Sequence, residues 1–372
     1  MRSFRITLVI RFIALVLLTS LSPVRSAVAD AQLERWTEAV RQTPYRYSLN
    51  FYRNLSIIRT WVLLSTGFCE KPDRHILFDN QGIFKGYLNN RDDEADTQQA
   101  INQLRKKLAA KQKEPFWAEG SLNDAGYPFA LACDQPHVDL QESATRMLGP
   151  DKDVLIWGSW DGLKVGDKDK PVPLYKAFID IYETRKAQGR YSFPDSIMRE
   201  ILGQVLIESG GLKNSRSVAN ANGIMQLRTT VLKDCGVPKQ YYLHRMAQID
   251  CALKLYQQNH RNLEEPFNAL FGKLPEKKRN ALYGLLLIQA YHGGVGRITR
   301  LLNDEELNQS ALYFSSHHQS YSAEDIALGM VYHNMGRDHF GLASLFYLVD
   351  VAIASDKLCA HKALKNLKYC AG

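Results

Sequence analysis

The chain has 372 residues, room for more than one domain at roughly 100–200 residues each. Its 45% hydrophobic and 23% charged content is that of a globular protein and excludes collagen-like, coiled-coil and wholly disordered classes. The formal charge of +8 falls to +4 without the four arginines of residues 1–29, a mild excess that suits an acidic polymer and does not argue for nucleic acid.

The first 29 residues read as a secretory signal peptide. Arg2 and Arg5 make a basic start, Phe12 to Leu21 an apolar run, and Ala27-Val28-Ala29 a small-x-small cleavage site. The run is short of the about 20 residues that span a bilayer, so the mature chain is expected to have no membrane span. An uncleaved N-terminal anchor is the rival reading. Export predicts oxidising surroundings, and the six cysteines (Cys69, Cys133, Cys235, Cys251, Cys359, Cys370) are candidates for disulfides. Proximity favours Cys235–Cys251 and Cys359–Cys370, which leaves Cys69–Cys133. Free buried thiols are the alternative.

Along the mature chain, 30–42 and 45–65 read as helices. His75 to Leu88 reads as two short strands around Asn80-Gln81-Gly82. Residues 94–113 read as a long helix with Ile101, Leu104 and Leu108 on one face. Residues 115–173 are rich in Gly, Pro and Asp, show little periodicity, and read as loops ending in a boundary near 165–175. Beyond it, 174–187, 195–208, 246–258, 280–292, 323–334 and 340–355 all carry helical spacing, and no strand alternation competes. The prediction is a mainly α fold. An all-α domain occupies 174–372, preceded by a smaller α+β or irregular region at 30–173.

The chemistry concentrates at Glu208. Asp195 and Ser196 are N-cap candidates after Pro194. Ile197, Ile201 and Val205 then fall four apart, Glu208 continues the same apolar face, and Ser209-Gly210-Gly211 ends the helix. Desolvation and the negative end of the helix dipole both push such a carboxyl's pKa up, as a general acid near neutral pH requires. A Glu at a helix end is more often simply solvated, so spacing alone does not establish catalysis.

Residues 208–227, E-S-G-G-L-K-N-S-R-S-V-A-N-A-N-G-I-M-Q-L, resemble the catalytic motif of the soluble lytic transglycosylase family, whose fold is akin to goose-type lysozyme. Glu208-Ser209, Ser217 and Gly223-Ile224-Met225-Gln226 fall in the family's register. Tyr291, Gly294 and Arg297 within Q-A-Y-H-G-G-V-G-R-I match a second block, and Gln248 to Leu255 a weaker third. The resemblance covers about 190–355. Asn220 stands where the family has Gly, Arg228-Thr229-Thr230 where it has Pro, and His292-Gly293 where it has Asn-Ala, which puts specificity in question.

The resemblance implies a lysozyme-like catalytic domain that cleaves the bond between N-acetylmuramic acid and N-acetylglucosamine in peptidoglycan strands. Glu208 would be the single acid/base, and the product a 1,6-anhydromuramic end. Ser217 and Gln226 would position the acid or the substrate's acetamido group, and Tyr291 would point its hydroxyl toward Glu208. Met225 would line the cleft or core, the glycines at 293, 294 and 296 would approach sugar, Ser209 would bind or position substrate or else pair at the helix terminus, and His292, with Arg228, would alter the subsites. No Asp or Glu lies between Glu208 and Gln226, which favours one-carboxylate chemistry over the paired carboxylates of an inverting hydrolase. A water-using muramidase and a non-catalytic peptidoglycan-binding protein are the alternatives. No metal or cofactor is expected: there is no H-E-x-x-H, and His317-His318 reads as a solvated pair. Trp157 and Trp160 could stack on sugars or pack in the core. A periplasmic location follows from the leader, and residues 30–173 are the place for a cell-envelope protein partner.

Overall fold

The computed structural model describes residues 31–111, 113–134, 138–149 and 154–370, so the leader expected at 1–29 lies outside the described residues. The fold is mainly helical. β1 (Ala31–Leu33) pairs in parallel with β4 (Phe116–Ala118). That pairing takes residues 31–33 out of the expected first helix, and α1 runs only over Trp36–Gln42. After a 3-10 turn at Tyr45–Ser48 comes α2 (Phe51–Leu64).

The expected hairpin is present as β2 (Arg74–Phe78) and β3 (Phe84–Asn89). Its turn is held by Asp79, whose Oδ1 accepts the N–H groups of Gln81 (2.8 Å) and Ile83 (2.9 Å). β5 (Phe129–Ala132) pairs on the other side of β2, giving the order β3-β2-β5. α3 (Glu94–Ala110) starts at Asp93, whose side chain caps the N–H of Asp96 at 2.7 Å, and packs Ile101 and Leu108 onto Leu77.

Residues 115–173 are more ordered than their composition suggests. Besides β4 and β5 they hold α4 (Leu140–Leu148) and the hairpin β6 (Gly158–Trp160) with β7 (Leu163–Val165). The helices that follow are α5 (Leu174–Ala187), α6 (Met198–Ser209), α7 (Thr229–Asp234), α8 (Arg245–Phe271), α9 (Glu276–Gly293), α10 (Val295–Asn303), α11 (Gln309–His317), α12 (Ala323–His333) and α13 (Leu342–Cys359). The second half is not purely α: β8 (Ala221–Asn222) and β9 (Leu227–Arg228) form a two-residue ladder within the Glu208 motif.

The main hydrophobic core runs across residue 173, from Trp36 to Tyr369, beside the small cluster of Leu77, Ile101 and Leu108. α13 is its axis. It packs along α6, and α2 grips its other side through Arg59, which donates to both carboxylate oxygens of Asp350 at 2.7 Å. The Arg59 guanidinium also lies 4.6 Å from the Phe346 ring centroid. The segment before 173 therefore braces the helix against which the Glu208 helix rests.

All six cysteines pair as proximity favours: Cys69–Cys133, Cys235–Cys251 and Cys359–Cys370. Among the described residues no helix is long and apolar enough to cross a membrane.

Candidate active site

α6 begins with a 3-10 turn at Asp195–Ile197, and no side chain caps it. Neither expected cap candidate, Asp195 or Ser196, fills the role, and Asp195 instead accepts from Tyr182 (2.7 Å) and pairs with Lys186. A cation one helix away outcompetes the local N–H groups. From Met198 on the helix is almost wholly buried, but Glu208 keeps partial access to solvent. The helix stops at Gly210 (φ 61°), whose N–H returns to the carbonyl of Leu206.

Burial raises the Glu208 carboxyl to about 7, and hydrogen bonds with Tyr347 and Gln204 only partly offset the rise. The hydroxyl of Tyr347, on α13, donates to Glu208 Oε1 at 2.5 Å. Tyr347 in turn accepts from Gln204 Nε2 at 2.5 Å, and Gln204 Oε1 accepts from the hydroxyl of Tyr256 on α8. Gln204 is fully buried one turn before Glu208, with both ends of its amide engaged. No cation and no second carboxylate is among the groups acting on Glu208.

The loop after α6 folds back over this corner. Ser209 Oγ donates to the carbonyl of Ile224 (2.8 Å) and accepts the N–H of Gly211 (3.1 Å), so it stitches the helix end to the turn. Ser217 Oγ accepts the N–H of Ala221 at 3.1 Å, and Gln226 Nε2 donates to the carbonyl of Gly223 at 2.9 Å. The hydrogen bonds of both therefore stay within the 217–228 turn and do not reach Glu208; of the two expected roles, positioning the acid or the substrate's acetamido group, the first is not seen. Gln226 sits at φ 44°, a left-handed conformation costing about 1 kcal/mol for a residue with a Cβ, which its own side-chain bond helps to offset. Gly223 cannot be larger: at φ 70°, a Cβ would lie 2.7 Å from the Gln248 side chain. Gln248, buried on α8, accepts the N–H of Met225 (3.2 Å) and donates to the carbonyl of Tyr242 (2.5 Å). Met225 itself is buried in the core.

Tyr291 differs from expectation. Its hydroxyl donates to the carbonyl of Met225 at 2.7 Å, and the hydroxyl on Glu208 belongs to Tyr347. The Tyr291 ring is stacked on Tyr256 (centroids 5.1 Å, planes 17° apart), which aims it over the turn. It remains close enough for the Glu208 charge to raise its pKa further, after the dominant effect of burial. His292 stacks on Tyr347 at 3.9 Å and 19°, with its side chain otherwise exposed. Desolvation of the stacked ring and the nearby Arg297 lower its pKa, so it is neutral at neutral pH.

The structure thus brings together Glu208, Ser209, Met225, Tyr291 and His292, with Ser217, Gly223 and Gln226 shaping the adjoining turn. Spacing did not single out Tyr347, Gln204 or Tyr256. A usable signal existed: Gln204 is the one polar side chain within the apolar stretch I-L-G-Q-V-L-I, four before the acid, and Tyr347 interrupts the apolar run L-F-Y-L-V. A buried amide or hydroxyl in such a setting needs a partner.

Elsewhere, Trp160 packs against Tyr241 (5.4 Å) and His244 (5.5 Å), while Trp157 is 55% exposed. Among the described residues no cluster of three or more His, Cys, Asp or Glu could hold a metal ion. Compared with known proteins, the chain matches no protein-family model and no curated protein.

Proposed function

We propose that this protein is an exported peptidoglycan lytic transglycosylase in which Glu208 acts alone as acid and then base. One observation carries the reading: the carboxyl of a partly exposed residue, raised to about 7 by burial, with only neutral hydrogen-bonding partners. Such a group is protonated for an appreciable fraction of the time at neutral pH, as protonation of a glycosidic oxygen demands.

A two-carboxylate hydrolase finds less support. Its second acid would stand about 5–9.5 Å from the first and would act on its charge, yet among the described residues no acid acts on Glu208. Glu200 shares the helix but lies eight residues away, about 12 Å along the axis. In the proposed reaction the Glu208 proton passes to the oxygen linking muramic acid to glucosamine, and that bond breaks. The substrate's own acetamido oxygen closes on C1. The Glu208 carboxylate then takes the proton of the C6 hydroxyl, and O6 displaces the acetamido oxygen from C1. The acid is regenerated and no water is consumed. The exposed face of neutral His292 is suited to contact a sugar ring. The three disulfides fit an oxidising compartment, and the leader-like start makes the periplasm the proposed location.

Digestion of purified peptidoglycan followed by mass spectrometry tests the reading. Anhydro products, one water lighter than hydrolytic ones, are expected. Products that have gained water make it a muramidase. Intact strands that still bind the protein make it a non-catalytic binder.

A further inference from the structure

The structure assigns Gln204 as a positioning residue that fixes the direction of the Tyr347 proton and thereby confines the acid–base chemistry of Glu208 to a single carboxyl oxygen. This rests on the reading of Glu208 as the acid, but its principal test needs no substrate.

A primary amide has one end that only donates and one that only accepts. The Glu208 carboxylate can only accept, so Tyr347 donates to it and itself accepts from Nε2 of Gln204, which leaves Oε1 to accept from the hydroxyl of Tyr256. The Tyr347 oxygen is then already accepting, and its one proton goes to Glu208 Oε1. Each donor polarises the next, so the three bonds act as one directional chain. With Oε1 held as an acceptor, the acid proton resides on Oε2. Oε2 therefore gives up the proton in the first step and takes one back in the second, while the Tyr347 hydroxyl stabilises the carboxylate in between.

Among the described residues no other group near the acid does this. On α6, Glu200 is also raised to about 7 by burial but pairs with Arg199 at 3.4 Å, two turns away. On α9, Tyr291 is committed to the Met225 carbonyl and His292 offers its ring face to Tyr347. Arg297 acts on His292. From α4, Arg146 donates to the carbonyl of Gly210, and so caps the helix end.

The test compares the Glu208 pKa in wild-type protein, in Gln204→Met, which keeps the volume and removes the amide's bonds to Tyr256, Tyr347 and Glu208, and in Tyr256→Phe, which leaves the direct Gln204–Glu208 bond and so reads the relay alone, by ¹³C NMR of the glutamate carboxyl signals. Glu208→Gln identifies the signal. Without an oriented donor the carboxylate loses stabilisation, so the pKa is expected to rise by roughly one unit, the scale of one charge-assisted bond. Tyr256→Phe removes only the first donor and should shift it the same way by less. It also serves if Gln204→Met does not fold. An unchanged Glu208 pKa in a folded variant overturns the assignment. On glycan strands, Gln204→Met should move the alkaline limb of the kcat profile to higher pH while KM stays put. Loss of rate with an unmoved profile would mean a merely structural amide. A raised pKa in a protein that cleaves no glycan would sink the proposed function and leave the proton relay standing.

Discussion

Two buried carboxyls, Glu208 and Asp250, sit on neighbouring core helices and behave in opposite ways. Burial pushes both upward. At Asp250 the guanidinium of Arg185 donates twice, at 2.8 and 2.9 Å, Lys254 stands 3.1 Å away, and the net pKa is lowered. At Glu208 the partners are a phenol and an amide, and the pKa stays near 7. A cation within reach makes a buried carboxylate a fixed charge that holds structure. Its absence leaves the carboxyl able to exchange a proton. Arg185 also donates to Asp161 at the β6–β7 turn, so the Asp250 corner ties residues before 173 onto α5 and α8.

The contrast breaks most visibly at Glu208. Glu208→Gln should reduce glycan cleavage by about 10³-fold or more, within the range for loss of a general acid, and leave the fold and strand binding intact. Asp250→Asn should do the reverse. It leaves Arg185 buried with only the exposed Asp161 as counter-charge, and a loss of about 3 kcal/mol is expected in urea unfolding at neutral pH. Tyr347→Phe sharpens the difference within one site. It removes the donor to Glu208 and costs about 2 kcal/mol of carboxylate stabilisation, roughly thirtyfold in rate. Stability against pH separates the two carboxyls as well. Asp250, with a lowered folded pKa, stabilises above its unfolded value near 3.8, and that contribution is lost as pH falls through the folded value. Glu208, raised from 4.5 to about 7, works with the opposite sign. The folded state holds its proton more tightly, so stability declines as pH rises from about 4.5 to 7. Unfolding curves across that window should slope downward in wild-type protein, and Glu208→Gln should flatten them.

Helices that bury one stripe were legible from their spacing: 174–187 matches α5 to the residue. Elements defined by distant partners were not. β4 has three residues and owes its existence to β1, more than 80 positions earlier. α10 was hidden behind the glycines at 293, 294 and 296, and the Asp195 cap was lost to a lysine on another helix. In the site, the acid and its turn could be read because they are contiguous in sequence. The hydroxyl that serves the acid could not, because Tyr347 is 139 residues away on a helix whose residues otherwise read as core.

The most direct measurement is the pKa of Glu208 in the folded protein, followed by carboxyl ¹³C NMR from pH 3 to 9. A midpoint near 7 agrees with a buried acid served only by neutral donors. A midpoint at or below the ordinary glutamate value of about 4.5 would mean that the group is an ionised carboxylate at neutral pH and would contradict the account.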